Sequence, residues 1–112
     1  MYRPQIVSFD AQLAILRISG DEDRTTSGRR RRPLSAALNA TRDVIVDLSE
    51  LTFADASLMI DLACLAQRLR ARGVMLWLAH PQPNIRTLIE TVGLHRLPAV
   101  RVDGGATKPA FT

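Results

Sequence analysis

At 112 residues, with 46% apolar and 23% charged side chains, the chain can build one hydrophobic core, is too short for two, and has the composition of a globular protein rather than a disordered one. No apolar run approaches the ~18 residues of a membrane span, and the opening MYRPQIVSFD lacks a signal-peptide core, which predicts a cytoplasmic protein without membrane insertion. The net charge of +4 is unevenly placed, because Arg29, Arg30, Arg31 and Arg32 stand in one run and the chain without them is nearly neutral.

In chain order, QIVSFD and residues 12–19 (QLAILRIS) predict a two-strand hairpin with Asp10 and Ala11 at its turn. The polar stretch GDEDRTTSGRRRR, which opens on the acidic cluster containing Asp21 and Asp23, predicts a loop. The arginine run has no interleaved aromatics for base stacking and no nucleic-acid motif around it, so it reads as a solvated part of that loop, without direct nucleic-acid contact. On that reading, replacing all four arginines with Ser leaves thermal stability nearly unchanged. Pro33 suits the first position of a short helix, PLSAALNA.

Residues 43–48 (DVIVDL) and 74–79 (VMLWLA) are apolar runs of the kind found in strands covered on both faces. They are expected to be parallel neighbours, joined by a right-handed crossover through a helix over residues 57–72. Only a short connection is expected between the first of these strands and the helix. Leu58, Leu62, Leu65 and Leu69 form one helical stripe, and Gly73 suits a left-handed cap at its end. Met59, Ile60 and Ala63 point away from that stripe, a surplus that fits either a neighbouring helix or a partner surface. Cys64, a lone cysteine among apolar neighbours, reads as a buried small side chain. A last helix over residues 84–92 and an edge strand, AVRV, complete a single domain of residues 1–102, with residues 103–112 as a tail.

An enzyme constellation is hard to assemble. His80 and His95 are isolated, no Cys/His spacing suits a metal, and no Gly-rich phosphate loop is present. His80 reads as a surface loop residue. No catalytic residue, cofactor or metal is therefore expected. The DASL corner, Asp55 to Leu58, carries the remaining chemistry. A serine before an apolar helix is a preferred N-cap, and Asp55 can serve the same positive helix end. The alternative is that the Ser57 hydroxyl is a group that something else modifies, and spacing leaves both open.

The succession VIVDLS, FADASL, LAQRLRARG, VMLWLAHP and NIRTLIETVGL, preceded by LAILRISGD, resembles the STAS domain of sulphate transporters and anti-sigma factor antagonists. The resemblance covers about two thirds of the chain in the family's order. It implies an α/β fold, a mixed β-sheet with helices mainly on one face. It implies a non-enzymatic anti-sigma factor antagonist that binds an anti-sigma factor with serine kinase activity. Asp55, Ala56, Ser57 and Leu58 match the family's Asp-Ser-Ser-Gly, which makes Ser57 the phosphoacceptor. Asp55, Ala56, Leu58, Met59 and Ile60, with Asp21 and Asp23, are then the partner-binding residues of a monomer or weak dimer. The alternative within the family is a regulatory subunit of a membrane transporter, such as a phospholipid-transport ABC system.

Overall fold

The hairpin forms with its second strand displaced toward the C-terminus. In the computed structural model, which describes residues 6–103, β1 (Ile6–Asp10) runs antiparallel to β2 (Ile15–Glu22), with Val7 opposite Ile18 and Phe9 opposite Leu16. The Asp10 carboxylate accepts from the Gln12 and Leu13 N–H groups at 2.9 and 3.0 Å, and this local bonding holds the turn. After the hairpin come α1 (Ser27–Ala37), β3 (Val44–Asp47), β4 (Leu51–Ala54), α2 (Ala56–Ala71), β5 (Leu76–Ala79), α3 (Pro83–Val92) and β6 (Val100–Val102).

The sheet runs β1-β2-β3-β5-β6, and β4 pairs with β2 off this path. Apart from the hairpin the described pairings are parallel. β3 and β5 are parallel neighbours, Val44 opposite Leu76 and Val46 opposite Leu78, with α2 between them in the chain as expected. Burial alternates along β2: Leu16 and Ile18 are buried, whereas Arg17 is exposed. The register places Arg17 beside Asp47 and Trp77 beside Arg101 on that second face, where Arg17 and Arg101 are exposed and Trp77 is half-buried. β3 is buried along Val44, Ile45 and Val46, as expected of a strand covered on both faces, whereas on β5 the second face is only half covered, at Trp77. The main core lies on the other face, as in a mixed sheet with helices mainly on one side.

That core gathers Leu16, Ile18, Val44, Val46, Leu76 and Leu78 against the α2 stripe of Leu58, Leu62, Leu65 and Leu69, all buried, with Ile85 and Ile89 from α3. Met59 joins it. Cys64, expected to be buried, is exposed, because it lies off the stripe and lines a groove between α1 and α2. Asp103, assigned to the tail, is buried; its N–H donates to the Leu78 carbonyl at 2.8 Å, and its carboxylate lies 3.4 Å from His80 Nδ1. Residues 104–112 of that expected tail lie outside the described residues.

α3 ends at Gly93, in the left-handed conformation at φ +81°, and a Cβ placed there meets no atom within 4 Å. Gly93→Ala therefore costs backbone strain and no clash, about 1–2 kcal/mol. Thermal unfolding should show a lowered Tm with an unchanged native spectrum, and an unchanged Tm would contradict the assigned cap.

The predicted loop over the arginine run is the largest departure. Arg29 to Arg32 lie inside α1, and Pro33, expected to open a helix, sits within it. The inward face of α1 carries Arg30, Leu34, Ala37 and Leu38, at helical spacing. An arginine occupies a core position of that stripe.

Candidate functional site

The site is built where β2 changes partner. Its first half pairs with β3 up to Arg17; its last residues, beyond a register shift at Gly20 (φ +78°), pair with β4, Glu22 opposite Ala54. The Asp55 N–H donates to the Glu22 carbonyl at 3.1 Å, so the C-terminal ends of the two strands lie side by side. Each leads straight into helical structure. Asp23 caps a 3-10 turn (Arg24–Thr26) ahead of α1, and Asp55 caps α2.

Asp55, not Ser57, is the N-cap. Its Oδ1 accepts from the Ser57 N–H at 2.9 Å and from the Ser57 hydroxyl at 2.5 Å, while Oδ2 accepts from the Arg24 N–H at 3.2 Å. Ser57 is the second residue of the helix, half-buried, with its hydroxyl held by a carboxylate instead of capping the backbone. The Ser57 hydroxyl is the main reason the Asp55 carboxyl is held below the ordinary value of 3.8; the Ser57 and Arg24 N–H groups and the Arg24 charge add to this, and partial desolvation opposes it. Asp23 is lowered in the same way, chiefly by the Thr25 hydroxyl, against the neighbouring charge of Asp55.

Both carboxyls are depressed in the folded state, so the stability they contribute is complete above pH 3.8 and is lost as pH falls through their lower folded values. Asp55→Ala should cost about 1 kcal/mol at neutral pH, as loss of an N-cap does. It should also flatten the fall of stability below pH 3.8. Denaturant melts across that range measure both effects, and an acid slope identical to wild type would exclude the Asp55 contribution.

Arg30 reaches the same hydroxyl from the protein interior. Its side chain is fully buried, as is that of Glu22, and Nη1 donates to Glu22 Oε1 at 2.9 Å. Nη1 also lies 3.1 Å from the Asp23 carbonyl and 3.3 Å from Thr26 Oγ1. Nε donates to Asp61 Oδ2 at 2.9 Å, and Nη2 lies 2.9 Å from the same oxygen and 3.3 Å from Ser57 Oγ. One guanidinium thus meets two carboxylates and the serine. Asp61 is 35% exposed, whereas Glu22 is closed off from water and its second oxygen has no partner among the described residues.

Of the residues assigned to partner binding, Asp23 and Asp55 flank Ser57, and Ala56 is exposed beside it. Asp21 is exposed at the β2 end and accepts from the Thr52 hydroxyl at 2.8 Å. Ile60 is 63% exposed. Leu58 and Met59 are buried and belong to the core cluster with Leu62, and Met59 also lines the floor of the groove beside Ile60. The bulk of Leu58, where the Asp-Ser-Ser-Gly pattern has glycine, is therefore directed inward. Ala56, Ile60 and Ala63 line an apolar groove of about 180 Å³, closed on its other side by Val92, Leu94 and Leu97 from the end of α3 and the turn after it. Arg30, Glu22 and Asp61 were absent from the sequence-derived site. The signal that could have found Arg30 is its spacing from Leu34, Ala37 and Leu38 on one helical face.

The STAS domain family model matches residues 5–104. The chain belongs to the STAS domain family. Among solved structures, SpoIIAA, an anti-sigma factor antagonist, in its unphosphorylated form aligns with TM-score 0.65 and 22% identity, over 81% of this chain and 79% of that one. An anti-sigma-factor antagonist (STAS) domain protein from Planctomyces limnophilus aligns with TM-score 0.64 and 18% identity, over 89% and 90% of the two chains. The Bacillus cell fate determinant SpoIIAA in its phosphorylated form aligns with TM-score 0.60 and 18% identity, over 91% and 93%. At these identities the structures share the STAS fold with the chain. No curated protein sequence matches it.

Proposed function

We propose that this STAS domain is a non-enzymatic anti-sigma factor antagonist, and that Ser57 is its phosphoacceptor. The observation that carries the reading is the Ser57 hydroxyl at the first turn of α2, aligned by Asp55 and placed beside the exposed Ala56 and Ile60. Membership of the STAS family and the fold shared with SpoIIAA support it. The partner is an anti-sigma factor with serine kinase activity, seated on the Ser57 corner and on the apolar groove beyond Ile60.

Phosphoryl transfer asks little covalent chemistry of the acceptor; position is what matters. Ser57 Oγ forms a bond to the γ-phosphorus of the kinase's ATP, the bond to the leaving ADP breaks, and the hydroxyl proton departs along its hydrogen bond to Asp55. The depressed pKa of Asp55 makes it an aligning acceptor more than a strong base. The modification adds about −1.5 to −2 charges next to Asp55 and Asp23, at the edge of an apolar contact, and so releases the partner.

Capture of partners from the source cell followed by mass spectrometry should return a kinase-like anti-sigma factor. Incubating it with the domain and Mg-ATP should place one phosphate on Ser57 and dissolve the complex. Recovery of a transporter ATPase in its place, or no phosphate on Ser57, overturns the reading.

A further inference from the structure

We propose that the buried Arg30 guanidinium is the internal receptor for the phosphoryl group on Ser57, exchanging Asp61 for the phosphate. This rests on Ser57 being the phosphoacceptor. In the unmodified protein Nη2 already lies 3.3 Å from Ser57 Oγ, and the terminal phosphate oxygens sit two bonds beyond that atom, on the phosphorus it carries. Ser57 and Asp61 are four residues apart on α2, hence on one face and one turn from each other. Arg30 needs to move along α2 by less than that turn to shift its hydrogen bonds from one to the other.

The exchange has a direction because the two carboxylates on Arg30 are unequal. Glu22 is closed off from water and shares Oε1 between Arg30 and the Thr26 hydroxyl, so losing the cation would leave a buried, unpaired charge. Asp61 is 35% exposed, and water can replace the guanidinium at its oxygen. Nε and Nη2, which now converge on Asp61 Oδ2, form the edge of the guanidinium fork that suits two oxygens of one phosphate. Nη1 can meanwhile stay with Glu22.

Modification also creates the need for that cation. Phosphorylated Ser57 has no hydroxyl proton, so Asp55 Oδ1 loses the bond it now accepts and faces a dianion, with Asp23 close enough for its charge to act on Asp55. A guanidinium arriving from inside compensates this cluster without drawing on the exposed surface. It also ties α1 to the state of Ser57, because Arg30 belongs to α1 while Ser57 and Asp61 belong to α2.

The test installs phosphoserine at position 57 during synthesis through an expanded genetic code and follows its second ionisation by 31P NMR. A phosphoserine ordinarily titrates near about 6. With Arg30 as receptor, the wild-type phosphoprotein should titrate about one unit lower than the doubly substituted Arg30→Met, Glu22→Leu phosphoprotein, which lacks the cation without stranding Glu22. Asp61→Asn, which removes the competitor, should lower the value further. Equal titration in wild type and the double variant overturns the proposal. Should the double variant fail to fold, the wild-type protein decides: a coupling between an Arg30 guanidinium nitrogen and 31P across the hydrogen bond supports the receptor, and its absence overturns it. Because the phosphate is installed without a kinase, failure of any kinase to modify Ser57 would overturn the proposed function and leave this measurement standing.

Discussion

Arg30→Met is expected to destabilise the domain by about 3–5 kcal/mol, because it strands the fully buried Glu22 carboxylate without its cation. Against a total of about 5–15 kcal/mol for a domain, that is enough to unfold much of the protein at physiological temperature. The loss belongs to the stranded charge more than to the missing contact, and a second substitution separates the two. Arg30→Met combined with Glu22→Leu removes both ends of the pair, and replacing a buried ion pair with apolar residues of similar size is often near neutral. The double variant should therefore recover most of the stability. Arg31→Ser and Arg32→Ser, at exposed positions of the same helix, should each stay within about 0.5 kcal/mol of wild type. Urea unfolding of the four variants beside the wild type measures all of this. A loss below about 1 kcal/mol for Arg30→Met would mean that Glu22 is not held as a buried charge.

The same arginine shows why part of the fold was hidden in the sequence. β3, β5, α2 and α3 were legible because each buries an unbroken run or a clean helical stripe, and the order of those elements was enough for the STAS resemblance. α1 follows the same helical spacing at Arg30, Leu34, Ala37 and Leu38, yet its first inward position carries a charge and its seventh residue is Pro33. Pattern reading scores an arginine as outward, and it becomes a core residue only once Glu22 and Asp61 are brought to it from β2 and α2. β4 was missed for a different reason. Only its end residues, Leu51 and Ala54, are buried, while Thr52 and Phe53 face solvent, so its four residues carry no alternation. That omission moved the cap. Asp and Ser are equally good N-caps, and what selects Asp55 is the register of β4 against β2, which ends the strand at Ala54 and bonds the Asp55 N–H to Glu22.

With Ser57 at the second helical position, its substitutions separate a structural hydroxyl from a regulated one. Ser57→Ala removes the hydroxyl that Asp55 accepts and that Arg30 touches, but the Asp55 cap on the Ser57 N–H survives and Arg30 keeps Asp61 and Glu22. The expected cost is one hydrogen bond's worth, about 1 kcal/mol. Ser57→Asp puts a carboxylate in the first turn of α2, where the helix dipole favours it and Arg30 is within reach, but beside Asp55 and Asp23. These effects oppose each other, so its Tm should remain within a few degrees of wild type. Binding should behave otherwise. The alanine variant keeps the neutral surface around Ala56 and Ile60, so it should bind the anti-sigma factor as wild type does and remain bound when Mg-ATP is added. The aspartate variant carries part of the phosphoserine charge into that contact and should weaken the complex at least tenfold, about 1.4 kcal/mol. Added salt should relieve some of the weakening, since the repulsion lies at a partly solvated edge. Calorimetric titration of both variants with the purified partner, with and without Mg-ATP, gives the answer. If the aspartate variant binds as tightly as wild type and Mg-ATP releases the alanine variant, charge at position 57 does not control the interface, and the hydroxyl serves only to order Asp55 and Arg30.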